Sequence, residues 1–166
     1  SRAIAFEGKK RFDYAIADYG QVTKLQPQNA AAWNSRCWTR AVIGRLQDAL
    51  SDCNEALKLK PDYINALDSR GFVQLRMGRY DEAIADYDAA LQIDPSKVAS
   101  LYGRGMAKRR KGDTTDGNAD IATAKAAKPN VAAEFARYGL QPPTTDAVQG
   151  DQPVSGEALA RGRRAN

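Results

Sequence analysis

Cys37 and Cys53 are the only cysteines in the chain, sixteen residues apart. Two thiols can fill core volume as small hydrophobes or close a disulfide, and the residue types alone leave both open. Little else is equipped for reactive chemistry. No histidine occurs in the 166 residues, which removes the usual general base near neutral pH, the HExxH zinc helix and the Ser-His or Cys-His nucleophile pairs. Asp86 and Asp88 form a paired-carboxylate candidate, but they alternate with helix-core positions and read as solvated or salt-bridged groups. Residues 112–120 (GDTTDGNAD) resemble a calcium loop in composition. Thr114 and Thr123 stand where an EF-hand needs ligands, so the segment reads as an inter-helix turn with an N-cap. Neither a phosphate-cradling glycine loop nor a CxxC pair is present. The residues point away from catalysis, cofactors and metals, and toward a surface that binds.

The elements that must carry such a surface repeat. Pro27, Pro61, Pro95 and Pro129 are each 34 residues apart, and their neighbours repeat with them. With each proline at position 32, position 8 reads Ala3, Cys37, Gly71, Gly105, position 20 reads Ala15, Ala49, Ala83, Gly117, and position 24 reads Tyr19, Cys53, Tyr87, Ile121. Within residues 64–97, Leu67, Gly71, Leu75, Ile84, Tyr87 and Leu91 recur at three- and four-residue steps, so two amphipathic helices flank the breaker Gly78. Small residues at 8 and 20 let paired helices approach, and the proline ends the second helix. The units run 30–63, 64–97 and 98–131, preceded by a partial unit at 1–29. Residues 132–140 suit a short capping helix with Phe135 and Tyr138 on its apolar side, and 141–166 lose the period and read as a flexible tail. Ser1 falls partway through a unit, so an upstream segment, including a secretion signal, is left open.

This period, with small residues at 8, 20 and 27 and proline at 32, resembles the tetratricopeptide repeat. Units of the RG, AIADYDAAL, DP form are similar to those common in bacterial arrays. The resemblance implies an all-α, right-handed superhelical solenoid of helix-turn-helix hairpins, with positions 2, 5, 9, 12 and 13 lining a concave peptide-binding groove. Those positions hold Asn34, Asp68 and Tyr102, the ladder Ile4, Trp38, Phe72 and Met106, then Leu75, Arg76, Arg109 and Arg110. Trp38 and Phe72 are the expected solvent-exposed anchors, since aromatic side chains give large contact area at low entropic cost. The family's carboxylate clamp needs Lys at position 5 and Asn at 9; Asn34 with Trp38, Asp68 with Phe72 and Tyr102 with Met106 depart from it.

Across an antiparallel hairpin, position 8 faces position 24, which predicts contact between Cys37 and Cys53; their oxidation, if present, argues for an exported setting over a cytoplasmic one. Position 7 is Arg36, Arg70 and Arg104, and position 23 is Asp52, Asp86 and Asp120, which predicts ion pairs within or between units. Gly117, Asn118 and Thr114 weaken the last hairpin, whose second helix is expected to open first, with Gly117→Ala stabilising. No long apolar run suggests a membrane span. The chain therefore reads as a protein- or peptide-binding scaffold. Two other readings are contact with an anionic polymer or nucleic acid through Lys108–Lys111 and the Arg161, Arg163, Arg164 segment, and self-assembly through the concave face.

Overall fold

The computed structural model describes residues 2–142, with side chains from Glu7 onward. Eight helices follow in order: α1 (Arg2–Leu25), α2 (Ala30–Val42), α3 (Leu46–Leu59), α4 (Ile64–Arg76), α5 (Tyr80–Ile93), α6 (Val98–Lys111), α7 (Thr114–Ala127) and α8 (Val131–Arg137). The helices α2/α3, α4/α5 and α6/α7 pair as hairpins, each second helix packs on the next first helix, and α2, α4 and α6 lie side by side. Among the described residues, no helix is long and apolar enough to cross a membrane.

One glycine makes each turn. Gly44, Gly78 and Gly112 adopt φ of 85°, 77° and 109° within two residues of the end of the first helix of their hairpins. A left-handed residue there lets the following amide reach back to the helix: Arg45 N–H donates to Arg40 O, Arg79 N–H to Gln74 O and Asp113 N–H to Lys108 O, each at 2.9 Å. The first unit departs from the expected partial hairpin. Lys10 occupies the glycine's position, and a left-handed conformation costs a side-chain-bearing residue about 1–2 kcal/mol. The helix therefore continues, and α1 runs unbroken from Arg2 to Leu25.

Close helix contact is made differently in each hairpin. In α2/α3, Cys37 and Cys53 are fully buried and joined by a disulfide across Cα atoms 5.4 Å apart. In α4/α5 the same slot holds Tyr87, whose ring lies against Gly71, and a Cβ on Gly103 of α6 would overlap that ring. In α6/α7 the backbones themselves meet: a Cβ on Gly117 would stand 2.7 Å from Gly105 O and 2.7 Å from Arg109 Cγ.

That contact reverses one expectation. Gly117 is helical, so alanine should gain about 1 kcal/mol of propensity, but overpacking against backbone typically costs about 1–3 kcal/mol. Gly117→Ala is expected to lower the stability of α6/α7 by about 1–2 kcal/mol, read as a lower urea midpoint; an increase would show that the hairpin can spread freely. The thin packing of α7 remains: its buried residues are Gly117, Asp120, Ile121 and Ala124, with Ile121 the one bulky aliphatic side chain. Amide exchange is expected to be faster in Thr114–Ala127 than in Tyr80–Ile93.

Arginine and aspartate tie the stack together within units. Arg36 Nε and Nη2 donate to Asp52 at 2.9 and 2.7 Å, Arg70 to Asp86 at 2.7 and 2.6 Å, and Arg104 to Asp120 at 2.7 Å twice. The remaining nitrogen reaches the preceding hairpin or helix: Arg36 donates to Thr23, Arg70 to Asn54 and Arg104 to Asp88. One planar guanidinium thus fixes a hairpin and its neighbour. Burial disfavours the Asp120 charge, yet hydrogen bonds from Arg104 and Lys108 hold its carboxyl below the usual range.

Candidate binding groove

The inner face of the stack is formed by α2, α4 and α6, and its far half is covered from within the chain. The short helix α8 folds back across these helices. Phe135 meets Tyr102 at 4.7 Å and Phe72 at 6.0 Å between ring centroids, while Tyr138 stands edge-on to Trp38 at 5.1 Å and to Phe72 at 6.3 Å. Leu140 closes this cluster and is fully buried.

Phe72 is consequently only 2% exposed, so it cannot act as the solvent-facing anchor expected of it. Leu75, Tyr102 and Met106 are buried in the same core. Arg76 is half-buried beside Gly139 and donates to Ala41 O at 2.5 Å, tying the end of α2 to α4; burial lowers its pKa from the ordinary value. Arg109 turns toward α7 and donates to Asn118 at 2.9 Å, while Arg110 is exposed at the end of α6. The side chain of Ile4 lies outside the described residues.

The near half stays open. A groove of about 300 Å³ runs between α2 and α4, lined by Asn34, Ser35, Trp38 and Thr39 on one side and Asn65, Asp68 and Ser69 on the other, with Tyr19 of α1 at its end. Asn34, Trp38 and Asp68, three of the residues assigned to the groove by position, meet here. Ser35 and Ser69, at position 6, together with Thr39 and Tyr19, escape that assignment; their polarity between apolar core residues is the signal that could have found them. A larger hollow of about 550 Å³, lined by Gly8, Lys9, Phe12, Ile43 and Arg45, lies between α1 and the α2/α3 turn, away from the inner face.

Two polar groups in the open half lack the usual compensation. Asn34 is 9% exposed, and its Oδ1 is buried without a hydrogen-bond partner among the described residues. Among the described residues Asp68 accepts one bond, from Ser100 Oγ at 2.7 Å onto Oδ1. Burial pushes the Asp68 carboxyl above its ordinary pKa, against the opposing pull of Ser100 and Lys97. Such groups cost stability unless something pairs with them. Among the described residues, no group of three or more cysteines, aspartates or glutamates could hold a metal ion.

The sequence of this stack matches two family models, one described as a tetratricopeptide repeat over residues 1–64 and one as a TPR repeat over residues 74–112. The chain belongs to the tetratricopeptide-repeat family. Solved structures agree on the solenoid fold. The crystal structure of TTC0263, a thermophilic TPR protein of Thermus thermophilus, is 17% identical, with a TM-score of 0.68, covering 81% of this chain and 76% of that one. The structure of MamA from residue 41 to its end, from Desulfovibrio magneticus RS-1, is 17% identical, with a TM-score of 0.66 and coverage of 83% and 85%. A double mutant of MamA from RS-1 is 18% identical, with a TM-score of 0.65 and coverage of 83% and 90%. At these identities the likeness speaks for the fold alone. Comparison with curated protein sequences finds no significant match.

Proposed function

We propose that this tetratricopeptide array is a non-catalytic scaffold that binds a peptide segment of a partner protein in the open half of its groove, between α2 and α4. The observation that carries this reading is Asn34, whose buried, unpartnered amide oxygen borders an open groove beside the half-buried indole of Trp38. An extended peptide offers a main-chain N–H to that oxygen, which a turn of the terminal amide brings to the groove, and apolar surface to the indole. The Cys37–Cys53 disulfide favours an oxidising compartment for this work.

The anionic-polymer reading is weaker, because most of its basic cluster is engaged. Lys108 pairs with Asp120 at 3.0 Å, Lys111 with Asp81 at 2.5 Å and Arg109 with Asn118; the later arginines lie outside the described residues. Self-assembly through the concave face has less apolar surface to use once α8 covers it.

Fluorescence titration tests the proposal. In a Trp33→Phe background, members of a pool of capped octapeptides are expected to shift Trp38 emission, with Asn34→Ala weakening them about tenfold, or about 1.4 kcal/mol, and Arg110→Ala leaving them unchanged. Peptides that bind without touching Trp38 emission or responding to Asn34→Ala would move the site elsewhere.

A further inference from the structure

Asp68 differs from the other aspartates that face the packed interior of the stack. Asp52 is held by Arg36 and Arg40, Asp86 by Arg70, and Asp120 by Arg104 and Lys108, all at 2.6 to 3.0 Å. Asp68 has a hydroxyl instead. Ser100, fully buried, donates to Oδ1, and among the described residues no side chain or amide donates to Oδ2. Among the described residues it is also the one charged residue lining the open groove, where its neighbours are serine, threonine, asparagine, tyrosine and tryptophan. The cation that acts on it, Lys97, donates to Asn65 Oδ1 at 3.3 Å on the rim. The surrounding unit is acidic, with four Lys/Arg against six Asp/Glu over residues 64–97.

Resting on the peptide-binding reading above, the geometry points to a cationic side chain, lysine or arginine, as the group the groove selects, received by the Asp68 carboxylate, the Asn34 amide oxygen and the Trp38 ring. Each element acts by separate physics. The carboxylate supplies the charge in a partly enclosed site, where screening by water is reduced. Asn34 Oδ1, unpartnered among the described residues, accepts a hydrogen bond from an ammonium or guanidinium N–H once the amide turns toward the groove. The indole offers a cation–π face. An anionic or apolar side chain would leave the Asp68 charge and the Asn34 oxygen uncompensated, so discrimination comes from the penalty on the wrong ligand as much as from contacts with the right one.

NMR titration with four capped octapeptides of glycine and serine, each carrying lysine, arginine, glutamate or methionine at its centre, decides this. The two basic peptides are expected to bind about tenfold more tightly than the other two. Asp68→Asn keeps an oxygen for the Ser100 hydroxyl and removes a charge that burial disfavours, so its melting temperature holds or rises while the preference collapses to about twofold or less. Lys97→Met, which leaves the groove lining intact, is expected to strengthen the basic peptides severalfold. Equal binding of the glutamate peptide, or a lysine preference that survives Asp68→Asn, overturns the charge selection and leaves peptide binding standing. If none of the four binds, the peptide-binding reading falls with it.

Discussion

Replacing Phe135 and Tyr138 together by alanine is expected to lower global stability by at least about 3 kcal/mol, the scale of truncating a buried aromatic side chain, and to expose Trp38 to solvent. Phe135 is buried, and between them the two rings contact Tyr102, Phe72 and Trp38, residues contributed by three successive first helices. Their loss uncovers the apolar floor of Phe72, Tyr102 and Met106. It also removes the edge contact on the indole, so Trp38 emission should shift to the red and become easier to quench. Tyr138→Ala alone separates the two effects. It should move the Trp38 signal while costing less, because Tyr138 is half-buried and Phe135 keeps its contacts. An unchanged Trp38 spectrum in the double variant, with a stability loss under about 1 kcal/mol, would mean that α8 rests on the array without helping to hold it.

The course of α8 marks the boundary of what the sequence makes legible. Phe135 and Tyr138, three residues apart, announce a small apolar helix face. Where that face lands depends on the curvature of the whole stack, which brings Tyr102, Phe72 and Trp38 to one place although they are 30 and 34 residues apart in the chain. Periodicity carries no such information, so Phe72 is assigned to solvent by its repeat position and is buried by its tertiary setting. Local signals fare better where they are read as pairs. Position 7 with 23 yields the Arg–Asp bridges, and glycine at both positions 8 and 20 of the last hairpin signals the backbone contact of Gly105 and Gly117. Read singly, Gly117 looks like a weakness. Lys10 in the turn-glycine position is equally legible, but a 34-residue frame alone hides it, because the frame implies a turn wherever the period places one.

Reduction of the Cys37–Cys53 bond, or the Cys37→Ala and Cys53→Ala double variant, is expected to destabilise the protein by about 3 kcal/mol, the loop-closure value for a crosslink spanning about 15 residues. Both cysteines are fully buried, and the Cα separation of 5.4 Å lies within the usual disulfide range. The bond staples α2 to α3 at the hairpin that carries Asn34 and Trp38, so its loss should also loosen one wall of the open groove. The test has two parts. Intact mass of unreduced, alkylated protein should show two hydrogens fewer than the dithiol and no alkylation of either cysteine. Urea unfolding with and without reductant should then separate by roughly the predicted amount, with a weaker Trp38 response to peptide in the reduced form. If the reduced protein unfolds at the same midpoint, the close packing of α2 on α3, reinforced by the bidentate Arg36–Asp52 pair at 2.9 and 2.7 Å, suffices to hold the hairpin. The two cysteines would then contribute as small buried side chains, and the argument for an oxidising compartment would lose its physical basis.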